Sequence, residues 1–233
     1  MARIIEVVER IMVPDLPTIA LPCEDGVPLE SNWHRLQINL LIDSIRQHWR
    51  GQTDFFAGGN MFIYYSARQV RNRDYKGPDF FVVKNVDGVK DRPCWIVWEE
   101  DGRFPNVIVE LLSPTTAPAD LGSKKQLYEQ TFKTPEYFCC DPDTRSLQGW
   151  RLGRHQSYES LSPDGHGRLF SEQLGVWLGL RDGTYQGLTA AWVRLFQSNG
   201  HLVPTAEEAE RERADAAEAE AARLREELER LKG

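Results

Sequence analysis

Two acidic residues stand in or beside apolar segments that have the composition of buried β-strands. Glu110 lies within NVIVELLSP, and Asp79 follows Pro78 at the start of PDFFVV. An ionised carboxylate among branched apolar side chains costs several kcal/mol unless it is paired or binds a cation. Any fold of this chain therefore has to supply these two strands with a positively charged partner.

Apolar runs typical of strands dominate the middle of the chain, and turn signals such as Asp87-Gly88 and Asp101-Gly102 divide them. Strands are predicted at residues 55–57, 61–65, 80–83, 95–98, 107–111, 137–140, 147–152 and 158–161. Helical spacing of apolar residues predicts a helix at 30–49, and a second helix is predicted at 120–131. The order of these elements predicts an α/β or α+β fold, with a central mixed sheet flanked by helices.

The composition divides the chain into three parts. Residues 1–28 are rich in proline and predict an extended N-terminal segment, residues 29–200 predict one folded domain, and residues 205–233 predict a helical tail. Within the domain, the glycine-rich and aromatic stretch 165–187 is turn-prone, and we expect it to cap the sheet.

The tail consists almost wholly of Ala, Glu, Arg and Leu, the composition of a long exposed helix. Its small and apolar residues alternate spacings of three and four, as in a heptad seam: Ala214, Ala217, Ala221, Leu224, Leu228 and Leu231. A coiled-coil homodimer through this seam and a solvated, partly frayed helix are both open on this pattern.

The composition also excludes several classes of protein. The net charge of −7 argues against a globally basic nucleic-acid binder, although a local basic patch still attracts phosphate. No apolar run is long enough for a membrane span, so we expect a cytoplasmic protein with no membrane partner. GxGxxG, GxxxxGK, GxSxG and HExxH are absent, so no organic cofactor is expected.

Two carboxylates on neighbouring strands and a nearby lysine are suited to phosphodiester hydrolysis. Such chemistry needs a cation to neutralise charge on phosphorus and an activated water. Mg²⁺ prefers carboxylate oxygens and keeps several waters, so Asp79 and Glu110 would be a sufficient protein share of its shell. Lys124, on the following helix, is the candidate for orienting the water, and Asp120 and Tyr128 lie on the same helix face.

The segments PDFFVV, IVELLSPTTAPAD, KKQLYE and TPEYFCCDP resemble the Uma-type restriction endonuclease family of the PD-(D/E)XK nuclease superfamily. The resemblance covers residues 30–161 and implies a restriction-endonuclease-like core acting on DNA, with Mg²⁺, or Mn²⁺ as a substitute, held at Asp79 and Glu110. It further implies that Glu30 reaches the metal. The superfamily lysine position is Leu112 here, so Lys124 or Lys125 would supply the amine.

Each candidate residue also has an ordinary structural explanation. Asp79 is also explained as a turn aspartate, and Glu110 as the partner of an arginine at the edge of the core. Lysines on helices are usually solvated, and Glu30 is a favourable acid at a helix N-terminus. His34, one turn later, is interpreted as an ordinary surface histidine.

Basic residues just before Asp79 are candidates for contacting substrate. Arg71, Arg73 and Lys76 would touch a phosphate backbone, and Tyr128 would contact substrate beside the lysine. A solvated loop explains the basic residues equally well. Trp95 and Trp98 are interpreted as core packing.

Two functions from different classes follow from the sequence. The first is a Mg²⁺-dependent endonuclease that cuts DNA with Asp79, Glu110 and Lys124. The second is a catalytically inactive nuclease-fold scaffold that associates through its C-terminal helix, as Leu112 at the usual lysine position and the acidic net charge suggest.

Overall fold

The structure is a computed structural model that describes residues 31–72 and 77–232. Its strands, in chain order, are β1 (Phe55–Gly58), β2 (Ile63–Tyr64), β3 (Phe80–Lys84), β4 (Trp95–Ile96), β5 (Val107–Leu111), β6 (Glu136–Asp141), β7 (Ser146–Leu152), β8 (Tyr158–Ser160), β9 (Leu169–Ser171), β10 (Val176–Tyr185) and β11 (Leu188–Phe196). The predicted N-terminal segment, residues 1–28, lies outside the described residues.

A six-stranded mixed sheet with the order β1-β3-β5-β6-β7-β8 forms the centre of the fold. β5 and β6 run parallel to each other, and every other neighbouring pair in this sheet is antiparallel. A parallel pair needs a crossover connection, and the helical segment between β5 and β6 supplies it. The predicted class, a central mixed sheet flanked by helices, is confirmed.

The helices are α1 (Asn32–His48), α2 (Ala67–Asn72), the site helix (residues 117–132) and the C-terminal helix (Ala206–Lys232). The site helix alternates α and π turns in four consecutive pieces: Ala117–Ala119, Asp120–Lys124, Lys125–Leu127 and Tyr128–Phe132. The predicted helices at 30–49, 120–131 and from 205 onward lie within a few residues of these bounds.

The helix α1 begins at an N-cap serine and packs on one face of the central sheet. Ser31 accepts a hydrogen bond from the backbone N–H of His34, and Ile38, Leu41 and Ile45 face the core. Gln37, which is also buried, donates a hydrogen bond from its side-chain amide to the carbonyl of Val193 and accepts one from the Val193 N–H. This pair of hydrogen bonds ties α1 to β11.

A second sheet, with the order β11-β10-β9, covers the same face of the central sheet as α1. The prediction that residues 165–187 are turn-prone was wrong, because they contain the ten-residue strand β10. Val176 and Leu178 are buried at alternate positions, and Gly179 and Gly183 lie within the strand, where both pair with residues of β11. The alternation of buried residues along β10 therefore determined its structure more strongly than its glycine content did. The segment does cover the central sheet, as expected.

The opposite face of the central sheet packs against the site helix and the short parallel pair β2 and β4. Tyr128 and Phe132 of the site helix meet Ile108 and Tyr137 of the sheet there. Trp95 is fully buried in this cluster, as core packing predicts, but its strand ends at Ile96 because a 3-10 turn, Val97–Glu99, follows. The two faces thus carry separate cores, with β5 and β6 central to both.

The C-terminal helix touches the domain only near its start. Thr205 accepts from the N–H of Glu208, and the Glu208 carboxylate accepts from the N–H of Thr205, which is a reciprocal capping box. Ala209 is the last buried residue before a long exposed stretch. In the described part of the chain, no helix combines the length and the apolar character needed to cross a membrane.

Candidate functional site

The antiparallel pairing of β3 and β5 brings Asp79 and Glu110 side by side. Phe80 pairs with Val109, so Asp79 lies next to Glu110 at the same edge of the sheet. The Asp79 N–H donates to Glu110 Oε2 at 3.2 Å, and the Leu111 N–H donates to Asp79 Oδ2 at 2.7 Å. Each carboxylate is thus held by the backbone of the strand that carries the other.

The site helix supplies the positive partner that the sequence required. Lys124 Nζ lies 3.2 Å from Glu110 Oε1 and 2.8 Å from Asp120 Oδ1. The Tyr128 hydroxyl donates to Glu110 Oε1 at 2.8 Å. Asp120, Lys124 and Tyr128 follow one another at intervals of four; the first π turn spans Asp120–Lys124, and the second, Tyr128–Phe132, begins at the tyrosine. Single π turns inside helices are frequent at functional sites.

The site helix is itself anchored to the sheet beneath it. The hydroxyl of Tyr137, a fully buried residue of β6, donates to the carbonyl of Asp120 at 2.8 Å. Tyr128 and Tyr137 also make an edge contact, with ring centroids 5.4 Å apart. The lysine therefore extends from a rigid segment, which fixes the distance between its amine and Glu110.

Burial and neighbouring charges shift the protonation of the site. Burial raises the pKa of Glu110 to about 8, although Lys124 acts to lower it. Burial likewise raises the pKa of Asp79, against the opposing hydrogen bond from Leu111. Burial alone would lower the pKa of Lys124, but the charges of Glu110 and Asp120 outweigh it and raise that pKa. The site therefore keeps a positive amine beside carboxyl groups that hold protons readily.

Oxygen atoms at the site fit a hard divalent cation. Asp120 is 1% exposed. Its carboxylate forms an ion pair with Lys124, and within the described part of the chain its oxygens have no other polar partner. No group of three or more His, Cys, Asp or Glu side chains within residues 31–72 and 77–232 is arranged around a common metal position. Two carboxylates with water completing the shell is a composition that Mg²⁺ accepts.

The structure distinguishes Lys124 from Lys125. The ammonium group of Lys125 lies over the ring of Trp150, 3.6 Å from its centroid, and burial lowers its pKa. Lys124 instead contacts Glu110 and Asp120. Glu110 is also not paired with an arginine, the alternative explanation for its burial, because its ionic partner is this lysine.

The other predicted site residues are placed as follows. Glu30, Arg73 and Lys76 lie outside the described residues, and Arg71 is exposed on α2. Tyr128 is fully buried and hydrogen-bonded to Glu110, a position that suits orienting the carboxylate and does not suit the predicted contact with substrate.

Sequence reasoning missed two features of this region. Asp120 was predicted to share a helix face with Lys124 but was given no part in the site, whereas in the structure it pairs with the Lys124 amine. The interpretation of His34 as a surface histidine was wrong, because it is 8% exposed between α1 and the sheet. Its position on the buried face of α1, four residues before Ile38, was the signal.

The chain is similar to a family of known proteins and to a solved structure. The family model named Uma2, with the description "Putative restriction endonuclease", matches residues 24–185, and the chain belongs to this family. The crystal structure of a putative nuclease belonging to DUF820 from Anabaena variabilis is similar over 68% of this chain and 86% of that one, with 15% identity and a TM-score of 0.44. No curated protein matches the chain.

Proposed function

We propose that this protein is a divalent-metal-dependent endonuclease that hydrolyses DNA phosphodiester bonds. Asp79 and Glu110 would hold Mg²⁺, or Mn²⁺ in its place, and Lys124 would act beside them. The observation that carries the proposal is the meeting of these three side chains at one edge of the sheet, with Lys124 Nζ 3.2 Å from Glu110. Membership in the restriction endonuclease family supports it.

The bound cation would neutralise charge on the phosphate and lower the pKa of a bound water. Lys124 keeps its proton, because adjacent carboxylates raise its pKa, and it is partly exposed, so its amine can contact a phosphate oxygen or orient a water. Asp120 positions that amine from one side, and Tyr128 holds Oε1 of Glu110 from the other. The chain thus fixes the negative and positive groups before substrate arrives, which avoids reorganisation during the reaction.

Cleavage of supercoiled plasmid by the purified full chain tests this proposal. We expect nicking with Mg²⁺ or Mn²⁺ and none in EDTA. Asp79→Asn, Glu110→Gln and Lys124→Met should each reduce the rate by about 100-fold or more, the usual cost of removing one group that stabilises transition-state charge.

Lys125→Met is the matched control for Lys124→Met, because Lys125 packs on Trp150 rather than on the carboxylates. It should keep the cleavage rate of the unmodified protein. Activity that persists in EDTA, or that survives Asp79→Asn and Glu110→Gln unchanged, would contradict the proposed site.

Calorimetric titration with Mn²⁺ separates metal binding from turnover. Binding that disappears in Asp79→Asn, without cleavage of any DNA, would assign the chain a metal site on an inactive fold. Absence of metal binding in the unmodified protein would exclude the metal-dependent mechanism.

Association through the C-terminal helix is a second candidate function, favoured by one specific observation. Leu224, Leu228 and Leu231 are 47%, 54% and 80% exposed along this helix, at the spacings of the heptad seam. Exposed leucines in a regular seam are suited to a matching helix of a second copy. This role is compatible with catalysis, and it becomes the principal one if the carboxylate site binds no metal.

Sedimentation at micromolar concentration tests the association. We expect a dimer that Leu224→Lys with Leu228→Lys converts to a monomer, because the two substituted seam positions would bury like charges against the facing helix. Arg211→Ala, at an exposed position outside the seam, is the control and should leave the dimer intact. A monomer for the unmodified chain would remove this candidate.

A further inference from the structure

The amine of Lys124 is shared by two carboxylates that differ in their other partners. It lies 3.2 Å from Glu110 Oε1 and 2.8 Å from Asp120 Oδ1. Glu110 also accepts from the Tyr128 hydroxyl and from the Asp79 N–H. In the described part of the chain, Asp120 has no polar partner besides this lysine. An ionised carboxylate can accept about four hydrogen bonds, so Asp120 has acceptor capacity that the single ion pair leaves unused.

Two roles would explain a buried carboxylate with so few donors. Asp120 either binds the cation itself or serves as a second acceptor for the Lys124 amine. Among residues 31–72 and 77–232, no three His, Cys, Asp or Glu side chains surround a common metal position. Asp120 therefore does not join Asp79 and Glu110 around one ion, which favours the role of second acceptor.

The position of the amine beside Glu110 conflicts with a cation on the same carboxylate. Glu110 is fully buried, and Lys124 is its ionic partner. A divalent cation held by Glu110 would be a near neighbour of this ammonium group, and like charges repel strongly where water is excluded. The lysine side chain is a flexible four-carbon stem with three rotatable donors, and here it is partly exposed, so the amine can turn away from Glu110.

Asp120 is fixed in a position to receive the amine. It lies one helical turn before Lys124, on the same helix face, so the two side chains meet whether or not Glu110 takes part. The carbonyl of Asp120 accepts a hydrogen bond from the Tyr137 hydroxyl at 2.8 Å, which ties this turn of the site helix to the central sheet. The acceptor therefore stays in place while the lysine side chain turns.

We propose that Lys124 neutralises Glu110 only in the metal-free protein, and that its amine moves fully onto Asp120 when the divalent cation binds. The inference rests on the proposed function for the presence of that cation. Asp120 is then a positioning residue, because it acts through Lys124 and touches neither metal nor substrate. Glu110 has a cationic partner in both states, and Lys124 keeps a carboxylate partner in both.

Calorimetric titration of the full chain with Mn²⁺ measures the competition. Lys124→Met should tighten Mn²⁺ binding about tenfold, the scale of one charged hydrogen bond, because it removes a positive charge from Glu110. Asp120→Asn should weaken binding about tenfold, since the displaced amine then has no carboxylate to receive it. In a protein that already carries Lys124→Met, Asp120→Asn should change the affinity by no more than about twofold.

The matched control is Asp182→Asn, which removes a carboxylate from an exposed pair with Arg145 and should leave Mn²⁺ binding unchanged. An equal loss of affinity on Asp120→Asn with and without Lys124 would make Asp120 a direct metal ligand and overturn the proposal. Weaker Mn²⁺ binding in Lys124→Met would also overturn it, because the amine would then assist the cation.

Nuclear magnetic resonance of ¹⁵N-labelled lysine amines follows the exchange itself. The Lys124 signal is assigned by its loss in Lys124→Met, and Lys84, whose amine donates to the carbonyl of Gln173, is the internal control. In the unmodified chain, the ammonium protons of Lys124 should stay protected from solvent exchange with and without Mg²⁺. In Asp120→Asn, they should be protected without Mg²⁺ and lose this protection when Mg²⁺ saturates the site.

A purely structural role for Asp120 would change both states alike. Protection in Asp120→Asn that Mg²⁺ does not alter would overturn the proposal. Loss of protection in the unmodified chain on addition of Mg²⁺ would overturn it too, and this result needs no variant that has to fold.

Failure of the exchange and failure of the proposed function give different results. No Mn²⁺ binding in the unmodified chain or in Lys124→Met would contradict the metal-dependent function, and the exchange with it. Mn²⁺ binding that requires Asp79, with independent effects of Lys124→Met and Asp120→Asn, would keep the metal-dependent function and contradict the exchange alone. Interdependent effects of the two substitutions in a protein that never cuts DNA would keep the exchange and contradict the nuclease.

Discussion

Two glutamates are fully buried in central strands of this protein, and they serve different purposes. Glu110 on β5 meets a lysine, a tyrosine and a second carboxylate. Glu136, the first residue of β6, accepts from the N–H groups of Glu172 and Gln173 and from the side chains of Arg151 and Ser171. Donors occupy both carboxylates, but Glu110 lies among two further acidic groups, Asp79 and Asp120, whereas these four partners of Glu136 are all donors.

Residue patterns alone identified Glu110 but gave no warning of Glu136. The prediction of Asp79 and Glu110 rested on apolar strand context, and EYFCCD offers nearly the same context for Glu136. What separates the two is the identity of hydrogen-bond partners 14 to 37 residues away, which strand periodicity does not encode.

Lys124 was preferred to Lys125 from the sequence, because adjacent helix positions differ by about 100° of rotation and Lys124 shares its face with Asp120 and Tyr128. In the structure Lys124 contacts Glu110, whereas Lys125 packs on Trp150.

Glu110 should make the metal-free protein less stable as pH rises. Its pKa is about 8 in the folded chain, above the ordinary value of about 4.3, so between these values the folded state keeps a proton that the unfolded state releases. The stability contributed by this proton is fully present below the ordinary pKa and is lost as pH rises to about 8, with a slope of up to about 1.4 kcal/mol per pH unit.

Urea unfolding in EDTA at several pH values between 5 and 9 measures this effect. Glu110→Gln is neutral at every pH, so its stability should exceed that of the unmodified protein increasingly as pH rises. Parallel stability profiles for the two proteins would show that Glu110 does not hold a proton in the folded state.

At the scale of helices and strands, the close approach of β1, β3 and α1 fixes the position of Asp79. Gly59, just after β1, lies so close to the Asp79 carbonyl oxygen and to Ile38 of α1 that an added Cβ would overlap both. The N–H of Asn60 also donates to the carbonyl of Asp79 at 3.1 Å. The approach of β1, β3 and α1 therefore depends on a residue without a side chain, because only glycine fits there.

Gly59→Ala should reduce both stability and cleavage, because the carbonyl of Asp79 and the methyl group of Ile38 have to move apart. We expect a loss of about 1–3 kcal/mol in urea unfolding, the usual cost of overpacking, and a cleavage rate at least about tenfold lower. Gly165→Ala is the control, since an added Cβ there meets no atom within 4 Å. Equal behaviour of the two variants would show that the close approach does not position the site.

The structure of the site helix could be predicted only in part from the sequence. A helix at 120–131 and a face shared by Asp120, Lys124 and Tyr128 were predicted from the sequence, but the two π turns were not. A π turn enlarges the hydrogen-bonded ring of the helix by one residue relative to an α turn, which suits the four-residue spacing of Lys124 and Tyr128, the two side chains that reach Glu110. Such turns depend on tertiary contacts, among them the hydrogen bond from Tyr137 to the carbonyl of Asp120.

For the whole molecule, Glu136 connects the two sheets. It stands on the central sheet, and its hydrogen-bond donors include Ser171 of β9 and the N–H groups of the two residues that follow. Through Arg151, the same carboxylate also contacts β7 at 3.0 Å. This single residue therefore fixes how the second sheet begins to fold over the first.

Glu136→Gln should destabilise the whole fold by about 2–4 kcal/mol, because it leaves buried donors with a weaker acceptor and replaces one acceptor oxygen with a donor. Glu172→Gln is the matched control, since Glu172 is 61% exposed and pairs with the same Arg151. An exposed pair contributes about 0–1 kcal/mol, so this variant should unfold almost as the unmodified chain does. A similar small loss for both variants would show that Glu136 does not join the sheets.

The sequence by itself determined the class of fold, the main helices and strands, and the two strand carboxylates, because each of these follows from local periodicity or from the cost of burying charge. The tertiary structure decided that Lys124 contacts Glu110 directly, that Asp120 and Tyr128 support the pair, that Glu136 is structural, and that His34 is buried. The physical reason is the range of the interactions. Burial and strand pairing join residues far apart in the chain, and local patterns carry no record of those partners.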